Sequence, residues 1–135
     1  MAGFFTEHAS NAALDLFFGG RRHEPTTLLY VGLSTGPASR RASYAEPEGG
    51  GYARAALENS GANFPEASGG MKANARAIAF PAPTADWGTI ASVFVADAPL
   101  GGNVLAMADL ARPRAVVAGG RPPTIAAGSL AFSHS

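Results

Sequence analysis

Short apolar runs, each stopped by Gly, Pro or Asp, fill residues 72–134. The runs are 73–80, 89–96, 104–110, 114–118 and 125–134. Between them stand Pro81-Ala82-Pro83, Asp86-Trp87-Gly88, Pro99-Leu100-Gly101-Gly102, Arg112-Pro113 and Gly119-Gly120-Arg121-Pro122-Pro123. Runs of this length with such punctuation predict an all-β sandwich or barrel. In 89–96, Ile90, Phe94 and Ala96 fall on one side and Ala91, Val93 and Val95 on the other, so burial on both faces is expected. In 73–80, Ala73, Ala75, Ala77 and Ala79 share a side that a neighbouring sheet or subunit could approach closely.

The first half reads differently. Ala9, Ala12, Ala13, Leu16 and Phe17 recur at helical spacing and predict one helix over about 6–18. Thr6 can cap its start, Glu7 suits the first turn, and Gly19-Gly20 supplies the stop, with Arg21-Arg22 beyond it. Phe4 and Phe5 precede the stripe without a partner in it. They read equally as an interface pair or as residues tucked under their own sandwich. Residues 26–34 alternate as a strand with apolar residues on both faces, and 52–58 resumes strand character. Between these strands, 35–51 is a polar stretch of Gly, Pro, Ser, Arg and Glu without periodicity. A loop that long is uncommon unless it is functional or ordered by a partner. A second polar excursion covers 59–71. No linker divides the chain. The expectation is one domain over 1–135: mainly β, a single β-sandwich of jelly-roll or immunoglobulin type over about 26–134, with one N-terminal helix.

Composition narrows the function. The 135 residues contain ten basic and ten acidic side chains, without the basic excess that phosphate neutralisation requires, so no nucleic-acid partner is expected. Only 15% of residues are charged against 47% hydrophobic, which suits a chain that hides surface in an assembly. There is no cysteine, which excludes disulfides and thiolate metal sites. No run of eighteen apolar residues predicts a membrane span, and the N-terminus has no secretion-signal pattern. Synthesis in the cytoplasm is the simplest expectation.

Candidate chemistry is sparse. Gly32-Leu33-Ser34-Thr35-Gly36 matches the G-x-S-x-G pattern of a serine hydrolase, which needs a strand, a sharp turn exposing the Ser, and a helix. Here Pro37 and a polar loop follow the strand, and the one downstream histidine is His134, so the match reads as chance. His8, His23 and His134 are scattered and form no metal-ligand spacing, and no glycine run has the phosphate-cradle pattern. The acidic residues stand singly near turns. No cofactor is implied. Trp87 reads either as an exposed anchor for a sugar or partner, or as a ring capping the core beside a tight turn; the second is favoured.

Several segments, taken in order, resemble a family of small tailed-phage and prophage proteins labelled tail fibre proteins. Thr27-Leu28-Leu29-Tyr30-Val31-Gly32-Leu33-Ser34-Thr35 is similar to that family's LYVGLST opening. Gly49-Gly50-Gly51-Tyr52-Ala53-Arg54 is similar to GGYAR, and Asn63-Phe64-Pro65 and Ala73-Asn74-Ala75 follow in turn. Phe80-Pro81 with Ala85-Asp86-Trp87-Gly88-Thr89-Ile90 resembles FP…ADWGT, while Gly101-Gly102-Asn103-Val104-Leu105 and Ala127-Gly128-Ser129-Leu130 resemble GGNLL and AGDL. The chain departs from the pattern at Val93-Phe94-Val95-Ala96-Asp97, where such proteins often read Gly-Ile-Phe-Asp.

The resemblance implies a non-enzymatic virion structural protein with no catalytic residues to carry over. Its partners would be tail, baseplate or capsid subunits, with the chain itself in several copies, made in the bacterial host cytoplasm and carried in the virion. A fibre base, a tail-attachment subunit or a decoration protein is expected rather than a long shaft. The contacts would fall on the N-terminal segment and the 35–51 loop, with Phe4, Phe5, Arg40, Arg41, Tyr44 and Trp87 as interface candidates. A carbohydrate- or receptor-binding tip is the alternative, and it needs an exposed aromatic cluster from Trp87, Tyr44 and Tyr52. A serine hydrolase using Ser34 is the remote one.

Overall fold

Nine strands and one helix make up residues 1–133, which the computed structural model describes; the His134 end of the last predicted run lies outside them. In chain order they are β1 (Ala2–Phe5), α1 (Glu7–Phe17), β2 (Leu28–Ser34), β3 (Ala55–Glu58), β4 (Met71–Ala73), β5 (Ile78–Ala79), β6 (Gly88–Ala96), β7 (Val104–Val116), β8 (Thr124–Ile125) and β9 (Ala131–Ser133). Seven strands form one sheet in the order β3-β2-β6-β7-β1-β9-β4, while β5 and β8 pair as a separate ribbon. The expected class holds: mainly β, a single sandwich curled toward a half-barrel, with one N-terminal helix.

Two apolar clusters explain the layering. Leu33, Ile90, Val93 and Val116 of the large sheet pack in one core with Ile78, Phe80 and Ile125 of the ribbon segments, so the ribbon closes one face. On the other face Phe94, Ala96, Val104 and Met107 form a second cluster, covered by Ala38, Ala42 and Tyr44. Those three residues belong to the 35–51 loop. The loop lacks periodicity because it is a lid rather than an element. It is held by the Ala45 N–H donating to Ser34 Oγ (3.0 Å), the Thr35 N–H to the Ala45 carbonyl (2.9 Å) and the Ala38 N–H to Asp109 Oδ1 (2.7 Å). A strand buried on both faces needs a cover on each, and this chain orders its own.

The N-terminus is woven in rather than appended. β1 pairs antiparallel with β7 (Phe4 opposite Met107) and parallel with β9 (Gly3 opposite Phe132). Thr6 caps α1, its Oγ1 accepting from the Ala9 N–H at 3.4 Å and donating to the Val104 carbonyl at 2.6 Å. The same residue thus starts the helix and fixes it to β7.

Four strand expectations are corrected. The run 125–134 is split by a turn at Gly128 (φ 77°) into β8 of the ribbon and β9 of the large sheet. Residues 73–80 do not form one strand, because buried Asn74 turns the chain there. Its Nδ2 donates to the Arg76 carbonyl (2.8 Å) and the Ala126 carbonyl (3.1 Å), and its Oδ1 accepts from the Leu130 N–H (2.9 Å). The alanines at 73, 75, 77 and 79 therefore share no single sheet face. Residues 104–110 and 114–118 are not two strands but one: β7 runs through Pro113. The proline sits where pairing lapses, between Asp109 opposite Ser92 and Arg114 opposite Ile90, so no ladder N–H is missed. The same irregularity turns Ile90 onto the face of Val93 and Val95, away from Phe94 and Ala96.

Candidate functional site

The densest polar cluster is built from the lid and the approach to β3. Tyr52 and Arg54 stand two apart just before β3, and both side chains reach Glu46. The Arg54 side chain is only 2% exposed. Its Nε donates to Glu46 Oε2 (2.9 Å) and its Nη2 to Glu46 Oε1 (3.0 Å), a two-pronged pair. Nη1 donates to the carbonyls of Ala98 (2.7 Å) and Gly101 (2.9 Å), and Nη2 reaches Tyr44 Oη at 3.4 Å. All five guanidinium N–H groups are used. The guanidinium also lies 5.0 Å from the Phe94 ring centre and 5.8 Å from that of Tyr44. Burial works against its charge, but the hydrogen bonds and charge of Glu46, helped by Tyr44, hold its pKa above the ordinary arginine value. Tyr52 donates its hydroxyl to Glu46 and accepts from the Leu33 N–H at 3.0 Å. Burial first, then the bond to Glu46, push its phenol well above the usual value. The group is a clasp between lid, β2 and the β6–β7 turn. A cleft of about 910 Å³ opens beside it, walled by Tyr30, Tyr44, Glu48, Tyr52, Pro99 and Leu100.

The interface candidates do not gather into one patch. Trp87, weighed as an anchor or a cap, is the cap. It is 4% exposed, donates Nε1 to the Gly50 carbonyl (2.8 Å) and meets Tyr52 edge-on at 5.2 Å. Gly50 has φ 60°, and a β-carbon there would lie 3.1 Å from Trp87 Nε1, so the glycine run serves this contact. Tyr44 is half-buried, stacked on Phe94 at 4.5 Å. Phe4 and Phe5 are half-buried within β1, and the exposed Arg40 places its guanidinium 5.2 Å over Phe4. Arg41 is exposed. Sequence reasoning missed Arg54 and Glu46, although the Tyr52/Arg54 alternation on a strand already put a charge beside an aromatic.

Ser34 is fully buried, and its Oγ accepts from the N–H groups of Gly36 (3.1 Å) and Ala45 (3.0 Å). A nucleophile elbow must expose its serine, and this one is a structural acceptor inside the lid. Among the described residues no group of three His, Asp or Glu side chains could hold a metal ion.

The family model for podophage GP4 fiber I protein gp80 matches residues 4–133. The chain belongs to this family. No curated protein matches it. The resemblance to phage tail-fibre proteins is therefore borne out, and the chain is a phage fibre structural protein, a virion component that works among other virion proteins.

The apolar stripe of α1 is only partly covered. Ala9, Ala12 and Ala13 do lie half-buried along a groove shared with Phe5 and Leu105, but no residue of α1 is fully buried. Its end overhangs the sheet. Leu14 is 55% exposed, Leu16 46%, Phe17 76% and, just past the helix, Phe18 78%. Alanine has little apolar area to bury, so the small half of the stripe docks while the large half remains in solvent.

Proposed function

We propose that the chain is a non-enzymatic building block of a tailed phage or phage-like particle, a fibre-base, tail-attachment or decoration subunit present in several copies. The observation that carries this reading is the exposed apolar end of α1. Scattered exposed leucines are ordinary, but four large apolar side chains gathered on one helix end mark a contact surface. Two further features support a structural role. The densest polar cluster satisfies itself, with Arg54 and Tyr52 both bonded to Glu46, and Ser34 is enclosed. The test is imaging of particles with a label on this chain, together with its co-sedimentation with them. Regularly placed density at a fixed site on head or tail is expected; a chain absent from purified particles overturns the reading.

A carbohydrate- or receptor-binding tip is the second reading, supported by the cleft beside Tyr30, Tyr44 and Tyr52. Trp87 contributes no ring to it. Glycan-array binding that is lost in a Tyr30→Ala protein would favour the tip reading, and no binding to any surface glycan would remove it.

A further inference from the structure

We propose that the cleft beside the clasp binds sugars that carry no acidic group and rejects acidic ones. This rests on the second reading above, in which that cleft holds a glycan, and names the class of glycan. The cleft is the part of the sheet face that the lid leaves open. Tyr30 lies on β2 two residues before Gly32, whose partner is Phe94, and Tyr44 of the lid stacks on Phe94. One wall is the lid turn at residues 46–49, and the other is the β6–β7 turn with Pro99 and Leu100. Arg54 joins the walls, bonded to Glu46 on one side and to the carbonyls of Ala98 and Gly101 on the other. The opening is therefore set by hydrogen bonds already made. Its volume, about 910 Å³, suits a small-ligand site.

The lining names the ligand class. Tyr30, Tyr44 and Leu100 offer apolar surface, Leu100 being 84% exposed, and the C–H face of a sugar ring packs on such surface. Polar groups with hydrogen-bonding capacity left over stand beside it. Tyr30 Oη and the Glu48 carboxylate have no partner among the described residues, and Tyr44 Oη, which accepts from Arg54, keeps its own proton to donate. A carboxylate accepts strongly from a sugar hydroxyl, and it pairs directly with the ammonium of an amino sugar. Among the described residues, no cation is left to meet an acid. Arg54 is the one base in the lining, and its five N–H groups are all taken, two of them by Glu46. A uronate or a sugar phosphate would lie against Glu48 without a counter-charge, which is how a site turns away the wrong partner.

A glycan array carrying matched sets of neutral, amino and uronic-acid oligosaccharides tests this on the full chain. The wild type is expected to bind neutral and amino members and to leave the uronic-acid members at background. Glu48→Gln should weaken amino-sugar binding at least tenfold. Glu48→Lys should raise the uronic-acid members above background. Leu100→Ser should weaken binding of every set at least tenfold. Both positions are exposed, so circular dichroism should be unchanged in all three variants. A wild type that prefers acidic glycans, a Glu48→Gln protein that keeps its amino-sugar affinity, or a Glu48→Lys protein with the wild-type pattern each overturns the proposal. In those cases the second reading survives as long as Tyr30→Ala still abolishes binding. No binding to any glycan sinks both, and particle co-sedimentation, which does not depend on the cleft, still decides the virion role.

Discussion

The Phe94 ring lies against the α-carbon of Gly32, its partner on the neighbouring strand: a β-carbon at Gly32 would fall 2.2 Å from Phe94 Cζ. Tyr44 stacks on that ring, and the Arg54 guanidinium lies 5.0 Å from its centre. One missing side chain on β2 thus makes room for an aromatic pair on which the whole lid rests. The position is glycine for space, since its φ lies outside the left-handed region.

Gly32→Ala should therefore destabilise by about 1–3 kcal/mol through overpacking. Urea unfolding would show it as a lower midpoint. Adding Phe94→Leu should return part of the loss, because the smaller side chain vacates the contested volume. A Gly32→Ala protein as stable as wild type would refute the close approach.

Removing one member of the clasp should cost more. Glu46→Ala leaves the Arg54 charge buried with only carbonyls and Tyr44 around it, and loss of one partner of a buried pair costs about 3–5 kcal/mol. Denaturant unfolding measures this directly. Replacing both ends, Glu46→Leu with Arg54→Met, should be milder than the single change, since no buried charge is stranded.

How much of this was visible beforehand depends on which force set each element. The helix, β2 and β6 were legible because their patterns record local periodicity. β1 was not, since a short strand held between two distant partners has no periodic signature. Residues 35–51 were recognisable as irregular, but their role as a lid depends on Phe94 and Met107 needing cover from a segment remote in sequence. Asn74 and Pro113 misled in opposite directions. Asn74 broke a run that alternated well, and Pro113 failed to break one because pairing lapses around it. Arg54 was not legible because nothing local marks a lone arginine as buried; its spacing from Tyr52 carried the signal.

Ser34→Ala should behave as a structural lesion. It strands the Gly36 and Ala45 N–H groups at the root of the lid, which costs about 1–3 kcal/mol. Thermal melting should show the loss, and hydrolysis of a nitrophenyl ester should be unchanged from the wild-type background. Any wild-type esterase rate abolished by this change would restore Ser34 as a nucleophile.

Alkaline pH should loosen the clasp in a way Tyr52 controls. An unfolded tyrosine ionises near pH 10, whereas folded Tyr52 is held neutral well beyond that by burial and by its bond to Glu46. Above about pH 10 the unfolded chain gives up a proton that the folded chain retains. The stabilisation is therefore complete below that pH and declines above it, by up to about 1.4 kcal/mol per pH unit from this group. Urea midpoints measured from pH 8 to 11.5 should stay level and then fall. In Tyr52→Phe the plateau should start lower, because the Leu33 N–H loses its acceptor and Glu46 a donor, yet the alkaline decline should be shallower. Equal slopes in the two proteins would assign the decline to other groups and remove Tyr52 from the account.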